Sequence, residues 1–205
     1  MVAIIDYDAG NIKSVEKAFK YLGADTVVTR DATDIIRADR VVLPGVGAFG
    51  DAMRKLNEYG LADVIKEVTN KQTPFLGICL GLQLLFDSSD ESKDAEGLGI
   101  LRGKIVKFPN IDSEGNYYKV PQIGWNNLNF PREGRLFKGL GSDAFVYFVH
   151  SYYLDAADKS IVTATSDYSV RIDASVESGN VFACQFHPEK SADVGMQILT
   201  NFMQV

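Results

Sequence analysis

Through the first 86 residues, short apolar runs alternate with stretches of helical periodicity, and that alternation restricts the chain to a narrow set of folds. Residues 2–6 read as a buried strand. Over residues 11–22, Ile12, Val15, Phe19 and Leu22 recur at helical spacing, and Gly23 marks a helix end. Residues 26–29 and 40–43 are strand-like, and the second run leads into the Gly-rich "PGVG". Residues 52–68 are broadly helical with a break at Gly60; residues 75–78 form a strand, and a helix starts at Leu80 and continues to Phe86. Strand and helix in this order predict an α/β fold with an open, mostly parallel sheet flanked by helices on both faces.

The middle of the chain changes character. From residue 103 to 141, Gly, Pro and Asn are frequent and the apolar runs are short, which predicts hairpins and long loops near an edge of the sheet. Residues 145–154, 161–166 and 181–186 then read as strands, giving the sheet an antiparallel extension. Val194, Ile198, Leu199, Phe202 and Met203 set a last amphipathic helix against the core. The reading is one domain over residues 1–205, long enough to bury a single sizeable core. Sheets of this type bind ligands beyond the carboxyl ends of their strands, where "PGVG" and "GICLG" both fall.

Composition narrows the function. A net charge of −6 without a basic stripe argues against nucleic acid. No apolar stretch reaches the ~18 residues of a membrane span. The beginning, "MVAIIDYDAG", has no signal-peptide pattern. The expected setting is cytoplasmic and reducing, so the two cysteines, Cys79 and Cys184, are not read as a disulfide. Nothing in the sequence calls for a cofactor or a metal.

Gly77-Ile78-Cys79-Leu80-Gly81 has the form of a nucleophile elbow. The turn from strand to helix is so tight that the residues two before and two after must be small, and the nucleophile is held out above a helix N-terminus. The Leu80 N–H would face a developing oxyanion. The plain alternative is a buried cysteine beside a packing glycine. His187-Pro188-Glu189 bears on that choice. Pro188 biases His187 towards extended backbone, in which residues i and i+2 point to one side. Glu189 can then fix the imidazole tautomer while His187 takes the Cys79 proton, which gives nucleophile, base and orienting acid. A lone His-x-Glu is commonly a surface pair; beside an elbow it reads as catalytic. "LPGVGAFG" could free backbone N–H groups for a second oxyanion donor, and its spacing is not that of a phosphate loop. His150, flanked by aromatics and lacking an adjacent acid, reads as a hydrogen-bonded structural histidine, and Cys184 as a small packed hydrophobe.

"PGVGAFG", "GICLGLQLLF" and "QFHPEKS" occur in the order typical of class I (triad) glutamine amidotransferases. "DYDAGNIKSV", "PQIGWN" and "YFVHSYY" narrow the resemblance to the glutaminase subunits of imidazole glycerol phosphate synthases, over essentially the whole chain. One local departure is Asp8, where glycine is common in that family.

The resemblance implies that Cys79 attacks the side-chain amide of L-glutamine, that His187 moves the proton and that Glu189 orients His187. It implies an oxyanion hole from Leu80 and from Gly45, Val46 and Gly47, where a peptide flip completes the hole. It also implies glutamine contacts at Gln83, Glu91, Ser151 and Tyr152. The ammonia would pass to a cyclase subunit, a separate (β/α)8-barrel chain, for histidine biosynthesis. Asn11, Trp125, Tyr147 and Lys190 match family positions at that interface. Each also has an ordinary reading: a helix start, a core aromatic, a strand aromatic, a solvated lysine. Rival readings are a paralogous amidotransferase subunit serving another acceptor such as an amidino-sugar, a regulatory subunit with a dead triad, and a cysteine peptidase.

Overall fold

The computed structural model describes residues 1–8 and 10–205. Ala9, within the "DYDAGN" motif, lies outside the described residues. The chain runs β1 (Val2–Ile5), α1 (Ile12–Tyr21), β2 (Thr26–Thr29), α2 (Ala32–Arg37), β3 (Arg40–Gly45), α3 (Phe49–Glu58), α4 (Leu61–Asn70), β4 (Phe75–Cys79) and the one-turn α5 (Leu80–Gln83). It continues through β5 (Ser88–Ser89), β6 (Gly103–Lys107), β7 (Gln122–Asn127), β8 (Phe145–His150), β9 (Tyr152–Ala156), β10 (Val162–Tyr168), β11 (Val170–Ser178), β12 (Val181–Cys184) and α6 (Ala192–Phe202).

The main sheet has seven strands in the order β10-β11-β12-β4-β3-β1-β2. β12, β4, β3, β1 and β2 are parallel, and β11 and β10 add the antiparallel extension. The mostly parallel sheet with an antiparallel extension is as expected, but the extension is β10 with the unexpected β11, while β12 is parallel and β8 and β9 lie in two smaller sheets. The central strands of the main sheet are buried on both faces, which is why they read as continuous apolar runs. Val2 and Ile4 pack with Val15 and Phe19 of α1 and with Ile198 and Phe202 of α6. Ala3 and Ile5 pack on the other face with Ile35, Leu56 and Ile65 from α2, α3 and α4. The Phe202 ring meets Phe19 and Phe182 edge-on at 6.2 and 6.0 Å, joining α6 to α1 and β12. Each such buried ring stabilises the fold by roughly 2–3 kcal/mol.

The helix expected over residues 52–68 is two helices starting earlier, at Phe49, and separated at Gly60, whose φ of 67° ends the first and admits the second. The run 145–154 is two strands. β8 pairs with β7 as a hairpin that packs on the α1/α6 face, whereas β9 pairs with β6 and packs on the opposite face. The chain crosses between the faces at Ser151, so a single strand cannot continue. Residues 103–141 supply β6 and β7, but no strand pair forms within the stretch as expected: β6 joins β5 and β9, and β7 joins β8. Among the described residues no helix is long and apolar enough to cross a membrane.

Candidate active site

The carboxyl ends of β3, β4 and β12 meet at one end of the parallel sheet. Register pairs Gly45 with Cys79 and Cys184 with Ile78, so the "PGVG" loop and the "QFHPE" segment flank the elbow on either side. Cys79 sits at φ 56°, ψ −110°, a strained conformation for a residue with a Cβ. The two glycines explain how it is held. A Cβ on Gly81 would lie 1.9 Å from the Leu43 carbonyl oxygen, and a Cβ on Gly77 would lie 2.7 Å from that of Gly81. Strand and helix are pressed together at these two points, and the turn between them has no slack.

The helix after the elbow is shorter than its apolar pattern predicts. It ends at Gln83 rather than running to Phe86. The N–H groups of Leu85 and Phe86 bind the Leu82 and Gln83 carbonyls, three residues back, and the Leu84, Leu85 and Phe86 oxygens then accept from Leu98, Ile100 and Gly99. The first-turn N–H groups remain at the elbow, but a full helix dipole does not stand behind Cys79.

His187 has the extended backbone expected before proline, at φ −102°. Glu189 reaches it differently from the expected extended arrangement, through a 3-10 turn over Pro188–Lys190. Oε1 of Glu189 lies 2.7 Å from Nδ1 of His187, with both side chains buried. The His187 backbone is held at both ends: its N–H donates to the Tyr147 carbonyl, and Ser191 Oγ donates to its carbonyl. Burial works against a charged ring, but Cys79 and Glu189 outweigh it and raise the His187 pKa to about 9. Its Nε2 is buried with no hydrogen-bond partner among the described residues.

Asn11, expected at a partner interface, also reaches this pair. Its Nδ2 donates to Glu189 Oε1 at 2.5 Å and lies 3.4 Å from His187 Nδ1. Gln83 and Tyr152 meet: Gln83 Nε2 donates to the Tyr152 carbonyl at 3.1 Å and to Gln185 Oε1 at 3.0 Å. Gln185 in turn points its amide at Cys79 Sγ, 3.7 Å away. Gln185 is not singled out by the sequence reading, yet it stands two before His187 in an extended run and so faces the same side. Ser151 is half-buried beside Tyr152. Glu91 Oε2 accepts from the Phe49 N–H at 2.7 Å, so that carboxylate caps α3.

Trp125 is 53% exposed, which removes the core-aromatic reading, and it meets Tyr147 edge-on at 6.3 Å. Lys190 is exposed next to the triad acid. Asp8 stands at φ 62° and is held by Tyr59 Oη at 2.5 Å and by Arg30 at 2.7 Å, which lower its pKa to about 2. These partners fix a conformation that glycine would adopt unaided. His150 is hydrogen-bonded at both nitrogens, to the Tyr152 carbonyl and to Gln122, and burial lowers its pKa to about 4. Cys184 is fully buried, and burial pushes its thiol well up.

A parallel sheet bearing this elbow and this imidazole–carboxylate pair is the architecture of the glutamine amidotransferase class-I family, whose profile matches residues 3–205, and the chain belongs to that family. It is an enzyme of the glutamine amidotransferase class. Within the family it is 53% identical over 205 residues to the imidazole glycerol phosphate synthase subunit HisH of Bacillus cereus (strain ATCC 14579), covering 100% of this chain and 95% of the relative. It is 48% identical to the HisH subunit of Geobacillus thermodenitrificans, covering 100% and 96%. Among solved structures, a glutamine amidotransferase superposes with a TM-score of 0.76 at 19% identity, covering 100% of this chain and 98% of the other. The glutaminase domain of Trypanosoma brucei CTPS does so with a TM-score of 0.68 at 16% identity, covering 99% and 93%. At these identities the likeness is one of fold.

Proposed function

We propose that the chain is the glutaminase subunit of an imidazole glycerol phosphate synthase, releasing ammonia from glutamine for a separate cyclase chain. The reading is carried by the strained cysteine elbow beside a buried His–Glu pair, in a chain that aligns end to end with relatives of that name. The Cys79 thiolate attacks the side-chain amide carbon of glutamine. The resulting oxyanion is met by the Leu80 N–H and by an N–H of Gly45-Val46-Gly47. With a pKa of about 9, His187 carries its proton at neutral pH and gives it to the departing ammonia. A γ-glutamyl thioester remains. His187 then takes a proton from water as the water attacks, and glutamate leaves as the thiolate and the imidazolium are restored. Glu189 holds the ring in the required tautomer. Gln83, Glu91, Ser151 and Tyr152 contact the substrate.

Ammonia released into water would be protonated and lost as a nucleophile, so the partner must dock close to Cys79. The outer face of the β7–β8 hairpin suits it. Ile123, Trp125 and Phe145 are 60, 53 and 50% exposed there, with Tyr147 beside Trp125. This face adjoins the triad, because Tyr147 binds the His187 N–H. Asn11 and Lys190 complete the interface, and the complex works in the cytoplasm as a heterodimer.

The test is Cys79→Ala in the complex with the cyclase. Glutamine-dependent synthesis should fall at least about 10³-fold, as for loss of a triad nucleophile. Synthesis from ammonium salt should continue at the wild-type rate, because the acceptor site is on the other chain. Substantial glutaminase activity in Cys79→Ala would refute the assignment.

A further inference from the structure

Tyr7 follows β1 and is 1% exposed, and its hydroxyl has no hydrogen-bond partner among the described residues. A buried hydroxyl left in this state costs free energy, so its place in the fold calls for an explanation. Its surroundings supply one. The point where a Gly45 Cβ would stand is 2.3 Å from Tyr7 Oη, 3.0 Å from Leu80 Cβ and 3.2 Å from the Gly81 nitrogen. The hydroxyl thus lies in the seam between the "PGVG" loop and the first turn after the elbow. Burial, and secondarily the nearby Cys79, raise its pKa, so it keeps its proton and can act as a donor.

β3 is laddered to β4 as far as the Gly45–Cys79 pair, and the Gly45–Val46 peptide follows that last pair. β1 pairs with β3 only as far as Ile4 with Val42. Beyond Val42, β3 has no ladder partner on its β1 side, and the Tyr7 hydroxyl lies over Gly45 in the direction a Cβ there would take. Val46, next along the loop, is 39% exposed, with its Cγ2 2.8 Å from where a Gly10 Cβ would stand. A peptide that turns its N–H towards the Cys79 oxyanion must turn its carbonyl away, and that carbonyl needs a donor in a buried place. We propose that Tyr7 is a positioning residue for the oxyanion loop, its hydroxyl donating to the Gly45 carbonyl when the Gly45–Val46 peptide presents its N–H to the reacting centre. This deepens the glutaminase reading and rests on it.

Tyr7→Phe keeps the ring and removes only the donor. The measurement is steady-state glutaminase activity of the complex with the cyclase and its formimino ribotide acceptor, together with Tm. The kcat should fall about 10-fold or more, towards the roughly 10²–10³-fold cost of losing an oxyanion donor. The KM for glutamine should stay within about twofold, and Tm should hold or rise because an unpaired buried hydroxyl is gone. Ammonium-driven synthesis should be unchanged. A kcat equal to wild type would overturn the proposal, as would a fall in kcat matched by a lower Tm and a raised KM, which mark loose packing. If the wild-type complex fails to hydrolyse glutamine, the glutaminase reading falls and this inference falls with it.

Discussion

His187 binds its proton more tightly in the folded chain than in an unfolded one, with a pKa of about 9 against about 6.5. Stabilisation from a raised pKa is complete below the unfolded value and fades as pH rises through the folded one. The contacts of His187 with Cys79 and Glu189 should therefore stabilise the fold fully at pH 6.5 and little above pH 9. Glu189→Gln removes part of that contribution, so the stability gap between wild type and variant should narrow by about 1–3 kcal/mol from pH 6.5 to pH 9.5. Urea unfolding at the two pH values measures it; a constant or widening gap would show that His187 gains no proton affinity from Glu189. The proposed nucleophile, base and acid, Cys79, His187 and Glu189, stand out in the sequence because such chemistry demands particular residue types in short, fixed motifs. Tyr7 is not: a tyrosine after an apolar strand looks like core, and only the approach of Gly45 gives its hydroxyl a meaning.

The elbow depends on two elements meeting without side chains between them. Gly81→Ala would drive a methyl into the Leu43 carbonyl, and neither backbone can yield without shifting β3 or α5. The expected cost is about 1–3 kcal/mol of stability, the range for overpacking, with glutaminase activity lost as the turn opens. Chemical denaturation and a rate assay on the same sample test this; an unperturbed midpoint would mean that β3 and α5 are not in forced contact. The β-α alternation that frames the elbow is legible because buried parallel strands and amphipathic helices leave unlike patterns. Other elements hide. α2 is only six residues long, too short for periodicity, although Asp31 caps it through the Thr33 and Asp34 N–H groups. β11 carries Asp173 and Ser175 on buried positions, so it does not look apolar. Asp173 is tolerated there because Lys159 and the Ala156 N–H bind it. α5 ends early as Leu85 and Phe86 turn to i−3 bonds, a change that an apolar pattern does not register.

Ile123, Trp125 and Phe145 make an apolar exposed face on the β7–β8 hairpin, and Tyr147 of that hairpin accepts from the His187 N–H. Trp125→Ala should weaken association with the cyclase at least about 10-fold, the scale of a buried aromatic anchor. It should leave the Tm of the isolated chain nearly unchanged, since the ring is 53% exposed. Calorimetric titration against the cyclase decides it, and an unaltered affinity would move the interface elsewhere. The strand order has a consequence for how the molecule comes into being. β4 and β12 are neighbours in the sheet, yet Cys79 and His187 are over a hundred residues apart in the chain. During synthesis the elbow strand emerges early, without a base. His187 can be seated only after β8 exists, because Tyr147 holds its backbone. Parallel pairing across so long a loop forms late in folding. A nascent chain therefore carries a thiol without a base, and Cys79 and His187 come together only once the β7–β8 hairpin is already in place.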